Sequence, residues 1–320
     1  MNRLRTIPIL IIVIAVVGSP AAADYKQAVA YFQQGRFDKA IQEIMPDLDK
    51  NPDWEFGHRL VGICYLNLHN NALAISSFRR AVQLESKSFS TYQGLGQAFY
   101  NLERFDDCLS ALEQAGQFAK ESQDQYNLHH LRGSAYYRLE RFEDAARELV
   151  AAIRIRASDW TDYSQLGISY YRLERYQEAV ESLLKALALK PRHNVTMEYL
   201  SKAYFQQGTE ELSKKGYDSA IELFDKARSY NPEYGYIYYN LAEAYLFKEN
   251  YSEAEKALNQ ALDLMPRSAE VFQRLGLIYE KEKKWDLSVD AYQKANELNP
   301  SPALKEAIAR VVELKKRANS

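Results

Sequence analysis

Histidine and cysteine are the side chains best suited to chemistry near neutral pH, as acid–base groups, nucleophiles or metal ligands. The chain has five of the first and two of the second. His58, His69 and His193 stand singly, and neither they nor the adjacent pair His129 and His130 have a carboxylate or a second His at metal-ligand spacing. H-E-x-x-H, G-x-S-x-G, the P-loop and G-x-G-x-x-G are all absent. Acidic residues are spread along the chain in the manner of solvated helix faces rather than paired for general acid–base work. The expectation is therefore a protein without catalytic residues, cofactor or metal, and not an enzyme. His129 stands four residues before Gly133, as Tyr92 does before Gly96 and Tyr163 before Gly167, so it is assigned to packing and His130 to the surface.

What could position such residues is a beat of 34. Ala40, Ala74 and Cys108, then Ala145 and Ala179, then Ala220, Ala254 and Ser288 are small, and within each group they stand 34 apart. Each is followed four residues later by a large apolar residue: Ile44, Phe78, Leu112, Leu149, Leu183, Phe224, Leu258 and Tyr292. Residues 160–193 show the local pattern. Trp160, Tyr163, Leu166, Gly167, Tyr170 and Tyr171 recur at steps of three and four, which lines one side of a helix. Leu173–Tyr176 turns the chain; Ala179, Leu183, Ala186 and Leu187 make a second stripe, which Pro191 ends. Gly167 and Ala179 are small where two helices must approach closely. Cys108 falls in the Ala40 series and Cys64 in a series of Ala and Ser, so both read as buried small hydrophobes, with a bridge between them left open.

These residues resemble the signature of the tetratricopeptide repeat family: an aromatic, then Leu-Gly and Tyr in a first helix, then Ala, Phe and Pro in a second. Tyr163, Leu166, Gly167, Tyr170, Ala179, Leu183 and Pro191 carry one match; Phe272, Leu275, Gly276, Tyr279, Tyr292, Ala295 and Pro300 carry another. The resemblance implies an all-α fold, a right-handed α-solenoid of about eight helix-turn-helix repeats. Boundaries follow from the beat: repeats 1–5 over 24–192, repeats 6–8 over 193–300, and a capping helix over 301–320. The beat slips twice. Three extra residues between Cys108 and Ala145 are placed in the polar connection Lys120–Gln125, and seven between Ala179 and Ala220 in the first helix of the sixth repeat, around Ser201–Lys214. Ser301 and Pro302 suit the start of the cap, whose stripe is Leu304, Ile308, Val311, Val312 and Leu314.

By resemblance, the first helices line a concave face that receives a protein or peptide, and the residues one and four after the small residue point into it. The fourth reads Phe32, Leu66, Tyr100, Tyr137, Tyr171, Phe205 and Leu246, then breaks to Glu280, with Tyr236 and Tyr239 beside it. Aromatic rings bury much area at low entropy cost, so this stripe is the expected partner-binding groove. Arg59, Gln97, His130, Arg138 and Arg172 flank it. The near-identical turns Leu102–Phe105, Leu139–Phe142 and Leu173–Tyr176 follow from duplication, with a docking edge as the alternative.

The N-terminus carries an address. Arg3 and Arg5 precede an apolar run over Ile7–Val17, and Ala21–Ala23 supply small residues for cleavage before Asp24, so 1–23 reads as a signal peptide. Pro8, Gly18 and Pro20 interrupt the run, which disfavours an uncleaved membrane anchor. Beyond it, 39 basic face 43 acidic side chains, a balance that gives no reason to expect nucleic acid. The function expected is an exported, periplasmic or secreted interaction scaffold; the alternative is a self-assembling or accessory component of a secretion, pilus or outer-membrane assembly system.

Overall fold

The computed structural model describes residues 25–318; the signal-peptide reading of residues 1–23 lies outside them. The described residues form seventeen helices and no strands, divided into two compact units at 165/166. The N-terminal unit holds α1 (Tyr25–Gln33), α2 (Phe37–Lys50), α3 (Glu55–Asn67), α4 (Asn71–Gln83), α5 (Phe89–Asn101), α6 (Phe105–Gly116), α7 (Ser122–Arg138), α8 (Phe142–Ile155) and the start of α9 (Trp160–Arg172). The C-terminal unit holds the rest of α9, then α10 (Tyr176–Leu189), α11 (Asn194–Ser213), α12 (Tyr217–Tyr230), α13 (Gly235–Phe247), α14 (Tyr251–Leu264), α15 (Ala269–Lys281), α16 (Trp285–Leu298) and α17 (Pro302–Ala318). Successive helices pair as αα-hairpins, the repeating unit of an α-solenoid.

Each hairpin is built on one close approach. The small residue of the first helix meets the large residue sixteen positions later: a Cβ on Gly167 would lie 2.6 Å from Leu183 Cγ, and one on Gly208 2.7 Å from the Phe224 ring. Leu183 and Phe224 are wholly buried and have nowhere to go. Seven residues after the small one, the chain turns through a positive φ in every hairpin, at Gly35, His69, Glu103, Glu140, Glu174, Lys215, Glu249 and Lys283. In four of these turns the next residue is an Arg that stacks within its own hairpin, Arg36 lying 4.8 Å over the Tyr31 ring. Arg104, Arg141 and Arg175 lie 4.6, 4.6 and 4.5 Å over the rings of Phe99, Tyr136 and Tyr170. They also pair with Asp107, Asp144 and Glu178. The Arg of each recurring Glu-Arg turn thus helps to close its hairpin, in keeping with repeat duplication.

These landmarks correct the reading of both slips. The small residue of the sixth repeat is Gly208, because Gly208 meets Phe224 and Lys215 takes the positive φ seven residues on. Helix α11 has twenty residues against thirteen in α9, and its surplus lies at its N-terminal end rather than around Ser201–Lys214. Phe205 therefore stands three residues before the small position, level with Tyr239 before Ala242, and Leu212 takes the place assigned to it. The first slip is also helix and not loop: α7 starts at Ser122 and runs for seventeen residues. Three and seven residues are close to one and two turns of 3.6, so both insertions lengthen a helix while keeping its apolar face.

Cys64 and Cys108 are buried free thiols, and burial pushes each up to about 12, Cys64 with a contribution from Asp38. In α17, Ser301 Oγ accepts from the Leu304 amide at 3.2 Å as the N-cap, and Leu304, Ala307 and Val311 pack on Tyr292 and Ala295. Ala307 rather than Ile308 takes the central position of the cap's stripe. Arg310 of this helix holds Glu280 by two bonds of 3.0 and 2.8 Å, so the residue that breaks the aromatic stripe is the one that binds the cap.

Candidate functional site

In the N-terminal unit the expected groove residues sit on α3, α5 and α7. Tyr100 and Tyr137 are half-buried, each ring edge-on to the aromatic that opens the next helix, Phe105 at 5.5 Å and Phe142 at 6.2 Å. The guanidinium of Arg138 lies 4.8 Å over Phe105 and pairs with Glu103 at 2.8 Å. Burial raises the Tyr100 phenol, an effect that Arg138 beside it partly offsets. Arg59 is held by Glu55 at 3.2 Å and lies 5.1 Å over Phe56. Gln97 donates to Asn101, which donates to Asn71.

The two histidines exchange the places the spacing suggests. His129 is half-exposed, with Nδ1 2.7 Å from Glu148 Oε2. His130 is 6% exposed, so it offers a partner almost no surface. Its position lies three residues before Gly133, and the start of α9 covers it. There His130 Nδ1 stands 2.5 Å from Oδ1 of Asp162, a carboxylate with no exposed surface. The buried Tyr126 hydroxyl donates toward Asp162 Oδ2 at 3.1 Å and Asp159 Oδ2 at 3.0 Å, and the Arg156 guanidinium lies 3.4 Å from the Tyr126 ring centroid. Burial works to raise the Asp159 carboxyl. Hydrogen bonds from the Thr161 side chain and amide, with His130 and Tyr126 nearby, hold it below the usual carboxylate range. Burial first, and then Asp162, push the Tyr126 phenol upward. Sequence spacing missed this group because its members stand about one repeat apart. The available signal was that Tyr126, His130, Asp159 and Asp162 are the only run where Tyr and His in one first helix face two Asp at the start of the next.

In the C-terminal unit the aromatic face is denser. Tyr171 meets Tyr176 at 5.8 Å and Tyr199 edge-on at 5.4 Å, and Arg172 donates to the Tyr199 hydroxyl at 3.3 Å. Phe205 meets Tyr234 at 5.3 Å, and Tyr234 meets Tyr236, which is 55% exposed. Lys202 lies 5.0 Å over Tyr199 while bonded to Glu198. Burial raises the Tyr234 phenol, with Tyr171 contributing. Tyr239 is half-buried beside the Glu243–Arg274 ion pair, with burial the main cause of its raised phenol. Spacing within the repeat does not single out Tyr199 and Lys202; they stand at steps of three before Phe205, Tyr199 on the added turns of α11 and Lys202 just after them.

Models described as tetratricopeptide repeat match residues 22–43, 160–193, 211–275 and 269–302. No curated protein gives a match. Among solved structures, the C-terminal part of a TPR repeat-containing protein from Cytophaga hutchinsonii is similar over 89% of this chain and 99% of that one, at 14% identity and a TM-score of 0.51. YrrB, described as a TPR protein with an unusual peptide-binding site, is similar over 64% of this chain and 97% of that one, at 17% identity and a TM-score of 0.50. At those identities the likeness is one of fold.

Proposed function

Because the chain belongs to the tetratricopeptide repeat family, whose members are protein-interaction scaffolds, we propose that it is a non-enzymatic scaffold of the cell envelope that binds a peptide segment of a partner protein. The face we assign to binding lies within the C-terminal unit, on Tyr171, Tyr199, Phe205, Tyr234 and Tyr236, with Lys202 and Arg172 at its edge. The observation that carries this reading is the packing of those rings. Contacts between neighbours at 5.3 to 5.7 Å hold them in place, while Tyr236 keeps more than half its surface in water. A face organised before the ligand arrives loses little side-chain entropy on binding.

Peptides selected from a displayed random library on the whole chain are expected to bind the Tyr199→Ala, Tyr236→Ala double variant at least about tenfold more weakly, a loss near 1.4 kcal/mol. The helical circular dichroism should not change, because neither ring is part of the buried core. Unchanged peptide affinity would move the binding face elsewhere. The envelope location rests on residues 1–23 acting as a cleaved export signal. N-terminal sequencing of the mature chain is expected to begin at Asp24; a chain retaining Met1 rules out cleavage.

A further inference from the structure

Four donor atoms converge inside the N-terminal unit without serving the binding face. Tyr126 Oη lies 3.5 Å from His130 Nδ1, 3.0 Å from Asp159 Oδ2 and 3.1 Å from Asp162 Oδ2. One ligand atom from each of His130, Asp159 and Asp162 fits within a sphere of mutual distances no greater than 4.8 Å. Four ligands at bonds of about 2.0 Å around a tetrahedral ion stand roughly 3.3 Å from one another, which is the spacing that Tyr126 Oη keeps to its three neighbours.

Charge points the same way. Two carboxylates, one of them wholly buried and held by the Tyr126 hydroxyl and His130, stand together here, and the Arg156 guanidinium lies against the face of the Tyr126 ring. A buried carboxylate is stable only when paired, hydrogen-bonded or bound to a metal. The donor chemistry then selects the ion. An imidazole nitrogen among the donors disfavours calcium and magnesium, which take six or more oxygens, and suits a borderline cation.

We propose that His130, Asp159 and Asp162 form a zinc-class divalent metal site, with the Tyr126 hydroxyl or a water as fourth ligand, that clamps α7 to the start of α9. The ion replaces the hydrogen bond between His130 and Asp162: the imidazole coordinates through Nδ1 as the neutral tautomer with its proton on Nε2, a proton on Nδ1 passing there by way of solvent, and one oxygen of Asp162 turns its lone pair to the metal. This edge, now 2.5 Å, opens by just under about 1 Å. Asp159 is half-exposed and provides the entry side.

The test titrates the chelator-stripped whole chain with cobalt(II), which reports its geometry by absorption, and with zinc in competition. The expected result is one ion per chain and a tetrahedral cobalt spectrum with nitrogen and oxygen ligands that zinc abolishes. Asp159→Asn removes an ionised ligand at a half-exposed position, so the fold persists and affinity falls at least about tenfold; helical circular dichroism confirms that it has folded. His58→Ala with His69→Ala, remote from the cluster, leaves binding unchanged. An octahedral cobalt spectrum, less than one ion per chain, or equal affinity in Asp159→Asn overturns the proposal and leaves the cluster a metal-free ionic clamp.

Discussion

Gly94→Val is expected to destabilise the N-terminal unit by about 3 kcal/mol, although it replaces a glycine in mid-helix with a better helix former. A Cβ at position 94 would fall 2.3 Å from Cζ of Phe78, and the Phe78 ring is wholly buried. That ring is held on both sides: Gly62 of its own hairpin would meet it at 2.9 Å. Removing a helix glycine gains at most about 1 kcal/mol, whereas forcing carbon into a filled core costs about 1–3 kcal/mol or more for a branched side chain, so the clash decides the sign. Phe78→Leu should relieve part of it. In a double-mutant cycle by urea unfolding, the two changes are expected to couple by about 1–2 kcal/mol. Additive losses would mean that Gly94 is small for another reason.

The second large effect is expected at Asp162. Asp162→Ala, measured in the presence of a chelator, should cost about 3 kcal/mol, because it removes both acceptors of a buried group and leaves Tyr126 and His130 short of partners. Asp159→Ala should cost clearly less, since Asp159 is half-exposed and water can replace its oxygens. Thermal or urea unfolding of the two variants side by side checks this order. Equal losses would show that the cluster holds α7 and α9 through something other than the buried carboxylate. Neighbouring hairpins supply much of each other's stability in a solenoid, so loosening this contact is expected to broaden the unfolding transition as well as shift it.

How far the site could be read in advance depended on whether a residue's neighbours lie in its own hairpin. Tyr100 and Tyr137 hold the register that their spacing from Gly96 and Gly133 dictates, a local, helical fact, each ring meeting the aromatic that opens the next helix. Phe205 was misplaced because the count ran forward from Gly167 through a helix lengthened at its start; only the contact of Gly208 with Phe224 shows where the sixth hairpin closes. His130 was set on the surface because the residue covering it, Asp162, lies in the next hairpin.

The sequence by itself determined the repeat, the hairpin, the small residues at each close approach, the burial of both cysteines and the amphipathic cap. All of these follow from a helical period of 3.6 residues and a repeat of 34, which one chain displays without reference to anything beyond the next turn. Tertiary structure alone decided that Phe78 needs Gly94, that Glu280 holds the cap through Arg310, and that Tyr126, His130, Asp159 and Asp162 meet. Those partners depend on how one hairpin is rotated against the next. That rotation is the outcome of packing many side chains at once, and no periodicity within either hairpin encodes it.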